Sequence, residues 1–318
     1  MATLEWSFED DLKNIREGAI ELRAKVTQNM YIRNYSTPDR ARNMISNDGA
    51  RWRISAINKI EFITGKKIFG KVIEIGAGTG YFSALLSKQA GPEVIYCLDY
   101  DRVSVDELMP LVFKNLDADT SKIKTVLGSY NAMKIADNYF DFVISLGAIH
   151  HSENLTATLQ ECYRVLQPGG FLVASEHCHP NSYSIENQTN DYETYLSAER
   201  VKVLYNDETL RVKAKDNSDH YYRLCEFEAH AYSAGFNVLP FVFDINGEKA
   251  SDSIFINPQP FAGYSNRTFF PYFAKNLKKP IFDNLLLILQ KPGGNAMYFR
   301  DTNFKALPKK GFFSRLGI

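Results

Sequence analysis

The sequence has no charge of one sign to spare. Its 37 basic side chains meet 37 acidic ones, for a formal net charge of zero over 318 residues. That removes any global electrostatic argument for nucleic acid as partner. Long apolar runs are also missing. The strongest, LLLIL at 285–289, is far shorter than the roughly 20 residues a membrane-spanning helix needs. The first residues, MATLEWSFEDDLKN, are acidic and lack an apolar core, so no signal peptide is expected. Cysteine is scarce: Cys97, Cys162, Cys178 and Cys225 stand apart without C-x-x-C spacing. The expectation is a reduced, cytoplasmic protein. What remains is ordinary globular composition, 45% hydrophobic and 23% charged, enough for one large domain or two modest ones.

Near the start, Phe8, Leu12, Ile15, Ala19, Leu22 and Val26 recur at spacings of four and three, one face of a helix. Ser7 with Asp10 makes a capping pair for it. Asn47-Asp48-Gly49 is a stop before a further helix, about 50–64. From residue 71 the rhythm changes. Apolar runs KVIEI, VIYCLD, KIKTVL, FDFVISL and FLVAS alternate with helical stretches at 80–90, 102–116 and 154–166. Such alternation predicts an α/β fold with a parallel sheet wrapped by helices. After 178 it pauses, then resumes with a helix ending at Gly235 and the strands FNVLPFVFDI and NLLLILQK. The reading is therefore an N-terminal helical cap (1–49), one domain over 50–292 with insertions at about 178–221 and 244–280, and a tail over 293–318.

The strand KVIEI runs into GAGTGYFS, placing Gly76, Gly78 and Gly80 on a strand-to-helix turn. Glycine there permits unusual backbone angles and lets a ligand approach the main chain. The dinucleotide fingerprint would need its third glycine at 81, where Tyr81 stands. Asp99 closes the next strand, nineteen residues after Gly80, where a carboxylate can accept both hydroxyls of a ribose.

Taken together, VIEIGAGTGYFS (72–83), LDYD (98–101), ADNYFDFVIS (136–145), AIHH (148–151) and RVLQPGG (164–170) resemble the class I S-adenosylmethionine-dependent methyltransferases, particularly the small-molecule group that includes ubiquinone-biosynthesis-type enzymes. The resemblance covers roughly 50–292. It implies a seven-stranded Rossmann-like sheet with helices on both faces and an antiparallel last strand, closed by FNVLPFVFDI and NLLLILQK. It also implies S-adenosylmethionine as cofactor. Glu74, Gly76, Gly78 and Gly80 would hold its methionine end, Asp99 its ribose, and Tyr100 would lie along adenine. The family often has Asp where this chain has Ser129; the adenine contact then weakens or moves to Tyr130 or Asn131. Ser145, at the end of FDFVIS, joins the cofactor set.

Ligands of open α/β sheets sit at the carboxyl ends of the strands. AIHHSEN ends one strand and EHCHPNSY the next, so His150, His151, His177 and His179, four of six histidines, are expected at one edge. There a histidine suits removal of a hydroxyl proton during methyl transfer. Capping of strand ends is the plainer alternative. A metal set of His177 and His179 with Glu176 or His151 is the sharper one, and no metal is expected.

Three surrounding features stay open. Phe255, Phe261, Tyr264, Phe269, Phe270, Tyr272 and Phe273 suit stacking on an acceptor, core packing or a homodimer contact. Arg33, Arg40, Arg42, Arg51 and Arg53 suit an anionic acceptor group or a solvated helix face. The basic, aromatic tail suits weak peripheral membrane contact or simple surface packing, without stable insertion. The expected activity is methylation of a small molecule, most specifically an oxygen of a sugar or surface-glycan precursor. Alternatives are N-methylation of an amine metabolite and a non-catalytic, methyltransferase-like binding subunit.

Overall fold

Val72, Ile73 and Ile75 are fully buried, because side chains of a parallel strand alternate between two helix-covered faces. One face packs Ile73, Leu98, Val143, Leu172 and Leu287 against Leu159 and Phe227; the other packs Val72, Ile95, Phe142 and Val173 against Phe82 and Leu86. The computed structural model describes residues 3–6, 19–46, 60, 66–152, 154–179, 183–207, 209–217, 222–238, 241–244, 253–256 and 282–293.

The strands are β1 (Leu4–Glu5), β2 (Gly70–Ile75), β3 (Pro92–Asp99), β4 (Ile123–Leu127), β5 (Phe140–Leu146), β6 (Leu166–Cys178), β7 (Asn237–Val238), β8 (Phe241–Asp244), β9 (Ser253–Ile256) and β10 (Phe282–Gln290). Their order is β1-β4-β3-β2-β5-β6-β10-β8-β9, with β7 also paired to β10. Strands β1 to β6 are mutually parallel, and β10 enters antiparallel to β6, with Leu286 opposite Ser175. The order reverses between β2 and β5, so the crevice beyond their carboxyl ends is the topological switch point.

The expected α/β architecture and antiparallel closing strand are present. The described sheet has ten strands rather than seven. Strand β1 adds an edge beside β4, the expected FNVLPFVFDI strand is divided into β7 and β8, and β9 falls inside the expected second insertion and pairs with β8. Pro168-Gly169-Gly170 is not a separate turn but a bulge within β6, where pairing jumps from Leu166–Phe140 to Phe171–Phe142.

The helices are α1 (Ala19–Val26), α2 (Pro38–Ser46), α3 (Tyr81–Ser87), α4 (Met109–Asn115), α5 (Leu155–Val165), α6 (Ile185–Glu193), α7 (Ala198–Tyr205) and α8 (Leu224–Ser233). A π-helical turn, Thr27–Tyr31, continues α1, and another, Ser104–Leu108, precedes α4. The segment expected as the first insertion carries α6 and α7. Their caps are Ser184 and Ser197, whose hydroxyls accept from the Asn187 and Arg200 amides. Helix α7 packs on α1 through Val201, Tyr205 and Val26. The capping pair at Ser7 and Asp10, the stop at 47–49, the helix at 50–64 apart from Ile60, Arg51, Arg53, the aromatic side chains of 255–273 and the tail from 294 lie outside what is described.

Candidate functional site

Three glycines shape the turn after β2. Gly76 and Gly78 have φ of 60° and 55°, in the region that favours glycine. A Cβ on Gly76 would lie 2.4 Å from the Ala148 Cβ, so this loop touches the loop after β5. Gly80 caps α3 with a left-handed conformation. Glu74, buried on the α3 side of the sheet, accepts from the Ser83 hydroxyl and, at 3.1 Å, the Ser83 amide. Burial pushes its carboxyl up to about 7, against the opposing effect of these two bonds.

Asp99 ends β3 and is buried. Its Oδ2 accepts from the Gly78 amide at 2.7 Å and its Oδ1 from the Asp101 amide at 2.9 Å. Burial raises its pKa, partly offset by the Arg23 guanidinium and by these amides. Each carboxylate oxygen keeps accepting capacity beyond its amide bond. Tyr100 follows, half-buried. Across the cleft, Tyr130 donates its hydroxyl to the Ala148 carbonyl at 3.3 Å, with its ring edge beside Gly76. Ser129 is buried and its hydroxyl accepts from the Asn131 amide at 3.1 Å.

The histidines divide into two groups. His150, His151 and His177 cluster, with ring centroids 4.1 Å apart for His150–His151 and 5.1 Å for His150–His177. His179 is elsewhere. It is buried and stacked on Tyr183 at 4.0 Å, while its amide donates to the Tyr222 carbonyl. It ties β6 to the segment entering α8.

Glu176 organises the cluster. Its Oε2 lies 2.7 Å from the His150 Nδ1, and its Oε1 accepts from the Ser145 hydroxyl at 2.7 Å and the Ile149 amide at 3.1 Å. Burial would raise this carboxyl, but the bond from His150, the Ser145 hydroxyl and the Ile149 amide hold it at about 2. A carboxylate only accepts, so the His150 proton sits on Nδ1 and Nε2 is the basic nitrogen. Ser145, expected in the cofactor set, donates its hydroxyl to Glu176 from beneath. Among the described residues no group of three or more His, Cys, Asp or Glu is placed to hold a metal.

This geometry carries a family signature, and residues 73–174 match the family model described as "Methyltransferase domain". Residues 73–174 are a class I methyltransferase domain. The chain is 36% identical over 104 residues to malonyl-[acyl-carrier protein] O-methyltransferase 1 of Coxiella burnetii, covering 33% of this chain and 32% of that one. It is 27% identical over 171 residues to demethylmenaquinone methyltransferase of Bacteroides fragilis, covering 54% and 64%. The matches thus span from about a third to under two thirds of those relatives. Among solved structures, a putative sarcosine dimethylglycine methyltransferase from Galdieria sulphuraria superposes with a TM-score of 0.51 at 17% identity, covering 76% and 86%. The [4+2]-cyclase SpnF superposes with a TM-score of 0.50 at 14% identity, covering 78% and 86%. These two likenesses are of fold, and one fold carries two chemistries.

The cofactor of this methyltransferase class is S-adenosylmethionine, and the domain's residues fit it. The buried Asp99 retains acceptors for a ribose, and Glu74 supplies a buried carboxylate below the loop. Sequence reasoning missed Arg23, Thr27 and Asp101, which meet at this site. A single arginine on an amphipathic helix carries no motif; only packing brings it to the glycine loop.

Proposed function

We propose that the chain is an S-adenosylmethionine-dependent methyltransferase acting on a small-molecule hydroxyl, with His150 as the base. The observation that carries this is the buried His150–Glu176 pair at 2.7 Å, joined to the glycine loop through Ala148. Bound cofactor supplies an activated methyl group, and in-line displacement then needs an aligned acceptor and dry surroundings. The Gly76–Gly80 loop, Glu74 and Asp99 bind the cofactor. Glu176, fixed by Ser145 and the Ile149 amide, orients His150. Nε2 of His150 takes the hydroxyl proton, a step worth about 10²–10⁴-fold for an alcohol. His151 and His177 line the same edge.

A base supports an alcohol acceptor over an already neutral amine, and this favours O-methylation of a sugar or surface-glycan precursor over N-methylation. A relative named as an O-methyltransferase is consistent with it. The fold shared with a cyclase makes a non-methylating chemistry the competing reading. Among the described residues no helix is long and apolar enough to cross a membrane.

The test is release of S-adenosylhomocysteine over a panel of nucleotide sugars, other alcohols and amines. The expected result is turnover with an alcohol, lost in His150→Asn while binding of S-adenosylhomocysteine is unchanged. Turnover with amines alone, or full activity in His150→Asn, would remove the base. Conversion of a substrate without methyl transfer would favour the competing reading.

A further inference from the structure

Helix α1 lies outside the matched domain, yet its inner face meets the cofactor loop. Arg23 and Thr27 are four residues apart and so share that face. The Thr27 hydroxyl, fully buried, donates to the Asp101 Oδ2 at 2.7 Å. The same oxygen accepts from the Ser104 hydroxyl at 2.6 Å and the Ser104 amide at 3.1 Å. Asp101 in turn donates its amide to Asp99. The latch fixes α1 at the carboxyl end of β3. Helix α7 supports it from outside, with the Asn29 side-chain amide donating to the Tyr205 carbonyl at 3.1 Å.

So held, Arg23 hangs over the glycine loop. Its Nη2 would lie 3.1 Å from a Cβ on Gly78, and among the described residues, the loop's own neighbours aside, no other atom comes within 4 Å of that position. The guanidinium carbon is 5.4 Å from the Tyr31 ring centroid. Asp99 and Asp101 are near enough to raise its pKa together with Tyr31 and Tyr100, against the effect of burial. Both carboxylates are already held by backbone amides and hydroxyls, and among the described residues none forms an ion pair with Arg23. A guanidinium with five donors in a rigid fork is built for a carboxylate. Here it stands against the main chain of the glycine loop, beside the Cβ position that Gly78 leaves empty.

We infer that Arg23 binds the α-carboxylate of the cofactor's amino-acid tail, so that the N-terminal cap supplies a cofactor ligand from outside the methyltransferase domain. The inference rests on the cofactor reading above. It assigns to α1 a direct part in recognition and gives Thr27 and Asp101 the task of aiming it. The charge of Arg23 would also compensate Asp99 until the tail arrives.

Calorimetry with two probes tests it. S-Adenosylhomocysteine has the amino-acid tail; 5′-methylthioadenosine shares its adenosine and thioether but lacks the tail. Arg23→Met should weaken S-adenosylhomocysteine binding by about 10- to 100-fold and leave 5′-methylthioadenosine binding unchanged, which also reports an intact fold. Arg23→Lys should recover part of the loss. An equal loss for both probes would overturn the inference, since Arg23 would then act through Asp99 and the loop. So would unchanged binding of S-adenosylhomocysteine. Binding of neither probe by the parent chain would remove the cofactor reading itself, and this inference with it.

Discussion

Replacing Glu176 by Gln tests the organisation of the active edge without changing its shape. Both carboxylate oxygens accept: Oε1 from Ser145 and Ile149, Oε2 from His150. In either orientation a glutamine would set its NH2 against a donor, inside a site where Glu176 is buried. Holding the carboxyl at about 2 against an ordinary 4.5 is worth about 3 kcal/mol at neutral pH. Loss of that amount lowers the melting temperature by about 5 °C for a chain of this length. The pH dependence has a definite sign. The folded value lies below the unfolded one, so the stabilisation is complete above the unfolded value and is lost as pH falls through the folded one. Calorimetric melts between pH 7 and 3 should show the parent losing stability below about pH 5, with this component missing in Glu176→Gln. A variant that melts within about 1 °C of the parent, with the same acid dependence, would mean that the buried bonds around Glu176 contribute nothing net.

Asp99→Ala should weaken S-adenosylhomocysteine binding by roughly 1.5–3 kcal/mol, since it removes charge-accepted ribose bonds and releases the Gly78 amide; unchanged affinity by calorimetry would take the ribose away from β3. Glu74 should make cofactor binding pH-dependent. Its carboxyl sits at about 7 in the free protein, and a cofactor ammonium favours the ionised form. Affinity should therefore rise with pH up to about 7, by at most about tenfold per pH step of one, and level off above. Glu74→Gln should flatten that profile. Because folding favours the protonated form, stability falls as pH rises from about 4.5 through 7, and the same variant should melt higher at pH 8. A flat profile in the parent would show that Glu74 does not meet the cofactor's charge.

Local pattern carried a large part of this protein. The alternation of KVIEI, VIYCLD, KIKTVL, FDFVISL and FLVAS with helical stretches defined β2 to β6 and their crossovers, because a strand's period and a helix's period are properties of neighbouring residues. Gly76, Gly78 and Gly80 were legible for the same reason: a tight turn and a close ligand approach make demands on a few consecutive positions. The approach of His150, His151 and His177 to one edge followed from strand ends alone. The separate place of His179 did not. His150 and Glu176 are 26 residues apart, and their pairing depends on the register of β5 against β6. That register also turns Ser145 beneath the carboxylate and leaves His179 against Tyr183. Arg23 is the extreme case. Fifty-five residues separate it from Gly78, and its place over the loop depends on Thr27 reaching Asp101 and on α7 backing α1. A side chain's neighbours across the sheet or from another helix are set by packing and burial, which sum over the whole chain, and no window of sequence contains them.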